Sequence, residues 1–245
     1  MDKIEFKLFD EGKESYCIGD LLNMPFFFAG WNNTPHNNTE VYDLFKKTSY
    51  QYPDNILGIY DKLRNDNDEP IPNVDKIINS IDMYINNNIG KLDNLKSMLE
   101  LCKNPDILFV HLRSGDKGVV HDEFIDKIKK VSSLYDKIII LTGIHHHTPE
   151  RSHHFLSLDE SIKNTKQSLS KLNFDDSKII IDLNEPDIHL CIMRNAKNLL
   201  LHLGGFSMLG ALAFNGDNLY LTKFFYPLNN PNTTFFNYIK KYILL

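Results

Sequence analysis

The hydrophobic residues in the second half of the chain fall into short continuous runs that alternate with segments of helical length. Runs such as ILFV at 107–110 are typical of strands that are buried on both faces of a parallel sheet. Strands are predicted at 107–113, 137–142, 178–183, 198–203 and 218–222, and helices at 121–134, 158–172, 187–197 and 206–215. Strands that alternate with helices of ten or more residues indicate βαβ units. The sequence therefore predicts an α/β fold with a Rossmann-type parallel sheet.

The first half of the chain has a less regular pattern. The elements predicted outside the alternating region are strands at 4–9 and 15–18, a helix at 40–47, one broken or two consecutive helices over 74–102, and a final helix at about 234–242. We interpret residues 1–104 as a reduced α/β domain. Residues 105–245 are interpreted as the Rossmann-like domain.

The first strand of the alternating region is followed by three polar residues, His111, Arg113 and Asp116. In open α/β sheets, ligands bind outside the carboxyl ends of the strands. An arginine in that place presents a planar fork of five donors that suits a phosphate, and Gly115 allows the backbone to turn sharply beside it. The segment predicts an anion site. The same residues also fit a surface ion pair between Arg113 and Asp116.

A second segment, 187–216, supports the anion site. It predicts a helix, a strand, a turn at Gly204-Gly205 and a further helix that begins near Phe206 and Ser207. Ser207 is a good N-cap residue, and the free backbone N–H groups at such a helix start attract phosphate. Three small residues would let this helix lie close to the sheet: Gly210, Ala211 and Ala213.

Together HLRSGD at 111–116 and GGFSMLGALA at 204–213 resemble the fucosyltransferase superfamily that carries an H-x-R-x-G/T-D motif. This superfamily includes the α-1,2-, α-1,6- and protein O-fucosyltransferases. The resemblance covers about residues 105–222, half of the chain. It implies a GT-B-like architecture and an inverting, metal-independent glycosyltransferase. Such an enzyme would move a sugar from a GDP-sugar, with GDP-fucose as the leading donor, to a hydroxyl group of a glycan acceptor. The resemblance implies that residues 1–104 form the acceptor side.

The resemblance also implies roles for single residues. Arg113 would bind the pyrophosphate of the donor and stabilise the charge that grows as the nucleoside diphosphate leaves. His111 is expected to contact the nucleotide or to orient the loop, and Asp116 to fix the loop of Arg113. Some relatives have a second arginine where this chain has Ser114, so one phosphate contact is missing or is supplied by Lys117. The predicted donor-binding set also includes the helix start: Gly205, Phe206 and Ser207.

The nucleobase is expected near Asp187 and His189. Relatives often hold an acidic residue about one helical turn before the position of Met193, and here that residue is His189. Guanine recognition is therefore open, and another nucleotide sugar is an alternative donor. The glycine-rich GLGNQ-like segment of relatives is also missing, and YCIGDLL at 16–22 and FAGW at 28–31 are the candidates for its role.

An inverting transfer needs a base that takes the proton from the acceptor hydroxyl. Counting from the motif of the α-1,6 branch places this base at His121, with Asp122 and Glu123 adjacent. Glu123 and His121 are the candidate catalytic bases. Acidic residues are also common at helix N-termini because they interact favourably with the helix dipole, and this explains Asp122 and Glu123 equally well.

The composition restricts partners and location. The formal net charge of -5 argues against nucleic acid as the main partner, because a surface that follows phosphates is normally basic. Three dispersed cysteines without metal spacing indicate a reducing compartment. A charged amino terminus, and no apolar stretch long enough for a bilayer, favour a cytoplasmic protein. Consecutive histidines such as His145 to His147 cannot readily converge on one ion, which favours a solvated loop and no metal site.

Two alternatives from other classes remain. The chain could be a catalytically silent module that binds a nucleotide sugar or another partner, given the reduced first half and the single arginine of the motif. It could also be a polysaccharide pyruvyltransferase-like enzyme, which IGDLL at 18–22 and LHLGGFSMLGAL at 201–212 suggest. Turnover of a labelled donor distinguishes the first alternative from the enzyme, and competition by phosphoenolpyruvate identifies the second.

Overall fold

The computed structural model of the protein describes residues 74–114, 118–143, 158–184, 186–225, 239 and 241–245. The helices in this part of the chain are α1 Val74–Asn88, α2 Asp93–Cys102, α3 Asp122–Ser132, α4 Leu158–Ser170, α5 Pro186–Asn195 and α6 Gly205–Ala213. The strands are β1 Ile107–His111, β2 Lys137–Leu141, β3 Ile179–Asp182, β4 Asn198–Leu201, β5 Asn218–Leu221 and β6 Ile243–Leu244.

The six strands form one parallel sheet in the order β3-β2-β1-β4-β5-β6. This is the strand order of a doubly wound, Rossmann-like sheet. The chain builds outward from β1 to β3 and then returns to place β4 on the other side of β1. A sheet with this topology has its ligand crevice beyond the carboxyl ends of the two central strands, here β1 and β4.

The sheet is covered on both faces, which explains why its strands are continuously hydrophobic. Alternate residues of β1 point to opposite faces: Ile107 and Phe109 join one buried cluster, whereas Leu108 and Val110 join another. The first cluster contains residues of α1, α2, α5 and α6, and the second contains residues of α3 and α4. The helices therefore hold the sheet rigidly, and the strand ends present side chains at fixed positions.

Of the two alternatives predicted for 74–102, one broken helix or two consecutive helices, the structure has the second, as α1 and α2, and both share the first core cluster with the sheet. The division into domains at residue 104 stays a prediction. The other elements predicted in the first half, at 4–9, 15–18 and 40–47, lie outside the described residues.

The alternating elements predicted from the sequence are confirmed, each within a few residues of its predicted bounds. The final helix predicted at 234–242 is wrong at its carboxyl end, because Lys241 and Tyr242 are not helical and the chain then enters β6. Ile243 and Leu244, directly after the predicted helix, pair with β5 and extend the sheet by one short strand.

Candidate anion-binding site

Arg113 lies two residues beyond the end of β1, and its side chain lies against Gly204 at the start of α6. A Cβ atom added to Gly204 would be 2.5 Å from Nη1 and 3.5 Å from Cζ of Arg113. Gly204 has φ 104° and ψ 165°, a conformation that is essentially restricted to glycine. This glycine therefore makes the turn from β4 to α6 and leaves room for the guanidinium.

The helix start beside Arg113 is a second feature that attracts anions. α6 begins at Gly205, and the first N–H groups of any helix have no carbonyl partner within the helix. The N-cap residue Gly204 provides no side-chain cap, and the helix dipole places partial positive charge at this end. The Arg113 guanidinium thus lies close to the first backbone N–H groups of α6, those of Gly205, Phe206 and Ser207. Both lie at the switch point of the sheet, the place between β1 and β4 where the strand order reverses.

The prediction that Ser207 is the N-cap of α6 is wrong. Gly204 takes that position, because only glycine tolerates its backbone conformation, and Ser207 is the third residue of the helix. The Ser207 hydroxyl lies 2.7 Å from Nδ1 of His111 and donates to the Leu203 carbonyl at 3.2 Å. Ser207 therefore orients His111 instead of capping the helix. Phe206 packs on the same ring, with centroids 5.4 Å apart.

The backbone that carries Arg113 is held on both sides. The Thr142 hydroxyl donates to the Leu112 carbonyl at 2.8 Å. The Ser114 hydroxyl is fully buried and donates to Oγ1 of Thr165 in α4 at 3.0 Å. Ser114 is therefore an anchor of the loop and does not contribute a phosphate contact at the place of the second arginine. The alternative contact, through Lys117, lies outside the described residues.

His202, directly after β4, contacts the same backbone. Nδ1 of His202 is 3.0 Å from the Arg113 carbonyl oxygen, and its ring stacks on Phe124 with centroids 4.1 Å apart and planes 23° apart. Burial is the main cause that lowers the pKa of His202 to about 4, and the nearby Arg113 charge acts in the same direction. The imidazole is therefore neutral at pH 7.

This buried neutral histidine makes stability depend on pH. The unfolded chain binds a proton at His202 below its ordinary pKa of 6.5, whereas the folded chain does so only below about 4. The folded state should therefore lose about 2–3 kcal/mol from this residue as the pH falls from 7.5 to 4.5. Urea unfolding of the parent and of His202→Asn at both pH values measures this effect. The stability advantage of the parent should shrink at pH 4.5, and an advantage that is equal at both values contradicts the assignment.

The two candidate bases lie at the start of α3, next to Phe124. His121 is the exposed N-cap residue of α3, and its ring lies 5.6 Å from that of Phe224. Glu123 forms an ion pair with Lys223 at 2.7 Å. The hydrogen bond from Lys223 lowers the pKa of Glu123, which makes this carboxylate a weaker base.

Asp187 and His189 lie in the first turns of α5, beyond β3, and both are buried. Nε2 of His189 is 3.0 Å from the Asp182 carboxylate, whose other oxygen accepts a hydrogen bond from Asn184 at 2.6 Å. Asn94 of α2 donates in turn to Asn184 at 2.8 Å. This network fixes the orientation of the His189 ring at the carboxyl edge of the sheet. The two residues stay candidates for contact with a nucleobase.

Several predicted site residues lie outside the described ranges, namely Asp116, Lys117 and His145 to His147. In the described part of the chain, no group of three or more His, Cys, Asp or Glu side chains is arranged to hold a metal ion. The predictions for the histidine cluster and for metal-independent chemistry stay predictions. Two cysteines, Cys102 and Cys191, are buried free thiols, and burial raises the pKa of both.

A cleft of about 230 Å³ lies at the opposite end of α6 from Gly204. Its lining includes Asp75, Arg194 and Lys241. The guanidinium of Arg194 bonds Asp82 through Nε and Nη2, each at 3.1 Å, and the Ala213 carbonyl through Nη1 at 3.0 Å. These bonds connect α1, α5 and the end of α6. Arg194 is therefore a structural clamp, and this cleft is separate from the site at Arg113.

Comparison of the chain with protein-family models, with curated proteins and with solved structures finds no match. Within the described ranges, none of the helices has the length and apolar character needed to cross a membrane.

Reasoning from the sequence missed His202 as a site residue. The available signal was its position, since it directly follows the apolar run LLL of β4, as His111 ends the run ILFV of β1. Two histidines at the carboxyl ends of neighbouring central strands are expected to lie at one edge of the sheet.

Proposed function

We propose that this protein binds the diphosphate of a nucleotide sugar at the start of α6 and transfers the sugar to a hydroxyl group of a glycan. The observation that carries the proposal is the position of the Arg113 guanidinium against Gly204, at the switch point between β1 and β4. An arginine and a helix N-terminus each attract phosphate, and here they act on the same small volume.

The proposed chemistry follows from where negative charge develops. When the bond between the sugar and the diphosphate breaks, the leaving oxygen gains charge. Arg113 and the first N–H groups of α6 stabilise this charge with donors that are already in place. His111, held by Ser207 at 2.7 Å, belongs to the wall of the same site. GDP-fucose is the donor that the family resemblance of HLRSGD implies.

The spacing of the strand ends supports a nucleotide that lies across the sheet. Asp187 and His189 follow β3, and Arg113 follows β1, with β2 between them. Neighbouring strands are about 4.8 Å apart, so the ends of β3 and β1 are separated by about 10 Å across the sheet. This separation suits a nucleoside near α5 and its diphosphate at α6.

The proposal predicts that GDP and GDP-fucose stabilise the folded protein in the presence of a chelator. A ligand that binds only the native state adds about 2.7 kcal/mol at a hundredfold excess over its Kd. Thermal unfolding with GDP, GDP-fucose and inorganic pyrophosphate, each at millimolar concentration with EDTA, measures the shift. UDP and ADP serve as controls for the base. If no guanosine diphosphate species raises the melting temperature, this donor assignment is wrong.

The catalytic base is proposed to be His121, because Glu123 is paired with Lys223. Replacing His121 by Asn should lower turnover by about a hundredfold or more and leave GDP affinity nearly unchanged, since a base acts only on the acceptor hydroxyl. Glu123→Gln should have a much smaller effect on turnover. A transfer or donor-hydrolysis assay, with calorimetry of GDP binding, tests both variants. Full activity of His121→Asn would place the base elsewhere in the chain.

One observation favours the second candidate function, a module that binds a nucleotide sugar without turnover. One of the two candidate bases, Glu123, is held in an ion pair with Lys223, with 2.7 Å between Oε2 and Nζ. A silent module would still show stabilisation by GDP, since Arg113 and the start of α6 do not depend on the base. Incubation with a radiolabelled donor and analysis for released or transferred sugar distinguishes the two functions.

A further inference from the structure

His202 connects three parts of the proposed site. Its backbone N–H donates to the His111 carbonyl at 3.1 Å, which extends the pairing of β1 and β4 by one residue. Its ring contacts the Arg113 carbonyl through Nδ1 and stacks on Phe124 of α3. The side chain is only 3% exposed, so these contacts define its orientation.

The hydrogen bond to Arg113 fixes the tautomer of the ring. A carbonyl oxygen can only accept, so Nδ1 of His202 carries the proton and donates it. Phe124 on the ring face and Phe224 at its edge, with centroids 4.1 Å and 6.3 Å away, hold the plane of the imidazole. The donor therefore points at the Arg113 carbonyl.

Three successive residues after β1 are anchored by different partners. Leu112 is held by Thr142 and Ser114 is held by Thr165. The bond from His202 is the one that acts on the carbonyl of Arg113 itself. This bond adds to the anchors on either side and helps to set the direction in which the Arg113 side chain leaves the backbone.

We propose that His202 is a positioning residue, which holds the Arg113 backbone so that the guanidinium stays over the start of α6 and receives the anion there. The proposal rests on the anion site of the proposed function, but not on the nucleotide or on sugar transfer. It also couples the site to α3, because the ring of Phe124, three positions after the N-cap residue His121, supports the imidazole.

Two variants distinguish the effect of the His202 hydrogen bond from the effect of its aromatic ring. His202→Asn keeps an N–H donor near the position of Nδ1 and removes the ring, whereas His202→Phe keeps a ring on Phe124 and removes the donor. Tyr135→Phe is the control for a general loss of stability, because it removes the buried 2.7 Å contact to the Tyr220 hydroxyl in the same core cluster. Calorimetry with inorganic pyrophosphate and with GDP, on samples shown by circular dichroism to be folded, gives Kd for each protein.

The expected result is that His202→Phe binds pyrophosphate about three- to tenfold more weakly than the parent, as the loss of one hydrogen bond allows. His202→Asn should stay within about twofold of the parent, and Tyr135→Phe should bind as the parent does. Equal affinity of His202→Phe and the parent overturns the positioning role, and so does a parent that does not bind pyrophosphate. A parent that binds pyrophosphate but not GDP overturns the nucleotide function alone.

Nitrogen NMR of the parent tests the proposal without any variant, and it therefore decides the question even if the variants fail to fold. The His202 imidazole should be neutral with its proton on Nδ1, and this resonance should shift when pyrophosphate is added. A proton on Nε2 with a bare Nδ1, or a resonance that does not respond to saturating pyrophosphate, overturns the proposal.

Discussion

Replacing Arg113 by Ala should weaken GDP binding by roughly 10- to 150-fold and abolish sugar transfer. A hydrogen bond to a charged group contributes about 1.5–3 kcal/mol, which corresponds to this range of Kd. Transfer should be lost as well, because the same guanidinium meets the diphosphate while its charge grows. Calorimetry with GDP and a donor-hydrolysis assay measure the two effects separately.

Two matched variants control for charge and for geometry. Lys130→Ala removes the same charge from the exposed last turn of α3 and should leave GDP binding unchanged. Arg113→Lys keeps the charge but loses the planar fork, so it should recover only part of the affinity. If Arg113→Ala binds GDP as tightly as the parent, the phosphate site lies elsewhere and the functional proposal loses its main support.

Replacing Gly204 by Ala should destabilise the fold by about 2–4 kcal/mol and weaken anion binding at least as much as the loss of one phosphate contact. Two physical effects add at this position. The backbone conformation at φ 104° is strained for any residue with a side chain. The new Cβ would also meet Nη1 of Arg113 at 2.5 Å, so the guanidinium must move away from the start of α6.

Two other glycines separate these effects. Gly118→Ala introduces strain alone, because Gly118 has φ 78° and open space around its Cβ position, and it should cost about 1 kcal/mol. Gly90→Ala, with open space and no positive φ, should change stability by about 0.5 kcal/mol or less. Urea unfolding of the three variants tests whether the loss of stability is largest for Gly204→Ala and smallest for Gly90→Ala. Pyrophosphate titration of the same variants tests whether only Gly204→Ala weakens anion binding. If Gly204→Ala loses no more stability than Gly90→Ala, the close approach of Arg113 to Gly204 is not real in solution.

The sequence predicts the alternation of strands and helices well because the central strands β1, β2 and β4 are buried on both faces. A run such as ILFV is apolar at every position, and helices of 9 to 13 residues separate the runs. The parallel sheet follows from that alternation. The position of Arg113 at a carboxyl strand end could be predicted for the same reason.

Other features depend on contacts between distant segments, which a local pattern does not contain. Ser207 has the properties of an N-cap residue, yet Gly204 ends the turn because Arg113, 91 positions earlier, packs against it. Gly210 is predicted to bring α6 close to the sheet, but the sequence gives no sign that its missing side chain also accommodates Met193 of α5, whose Sδ would clash with a Cβ atom there.

The pairing of Ser114 with Thr165 and of His202 with Phe124 shows the same limit. Ser114 and Thr165 are 51 positions apart, and Phe124 and His202 are 78 positions apart. A single sequence gives no sign that either pair is in contact. Burial explains why the Ser114–Thr165 pair matters, since a buried hydroxyl needs a hydrogen-bond partner to offset the loss of water, whereas Phe124 packs on the face of the His202 ring. The candidate site is therefore partly supported by residues that look ordinary in the sequence.

A crystal structure of the protein with GDP tests the central claim most directly. The account predicts that diphosphate oxygens lie about 2.7–3.1 Å from the Arg113 guanidinium and from backbone nitrogens of Gly205 to Ser207. It also predicts that the His202–Arg113 hydrogen bond is retained. A structure in which GDP occupies another part of the molecule, while the start of α6 holds no phosphate, would contradict it.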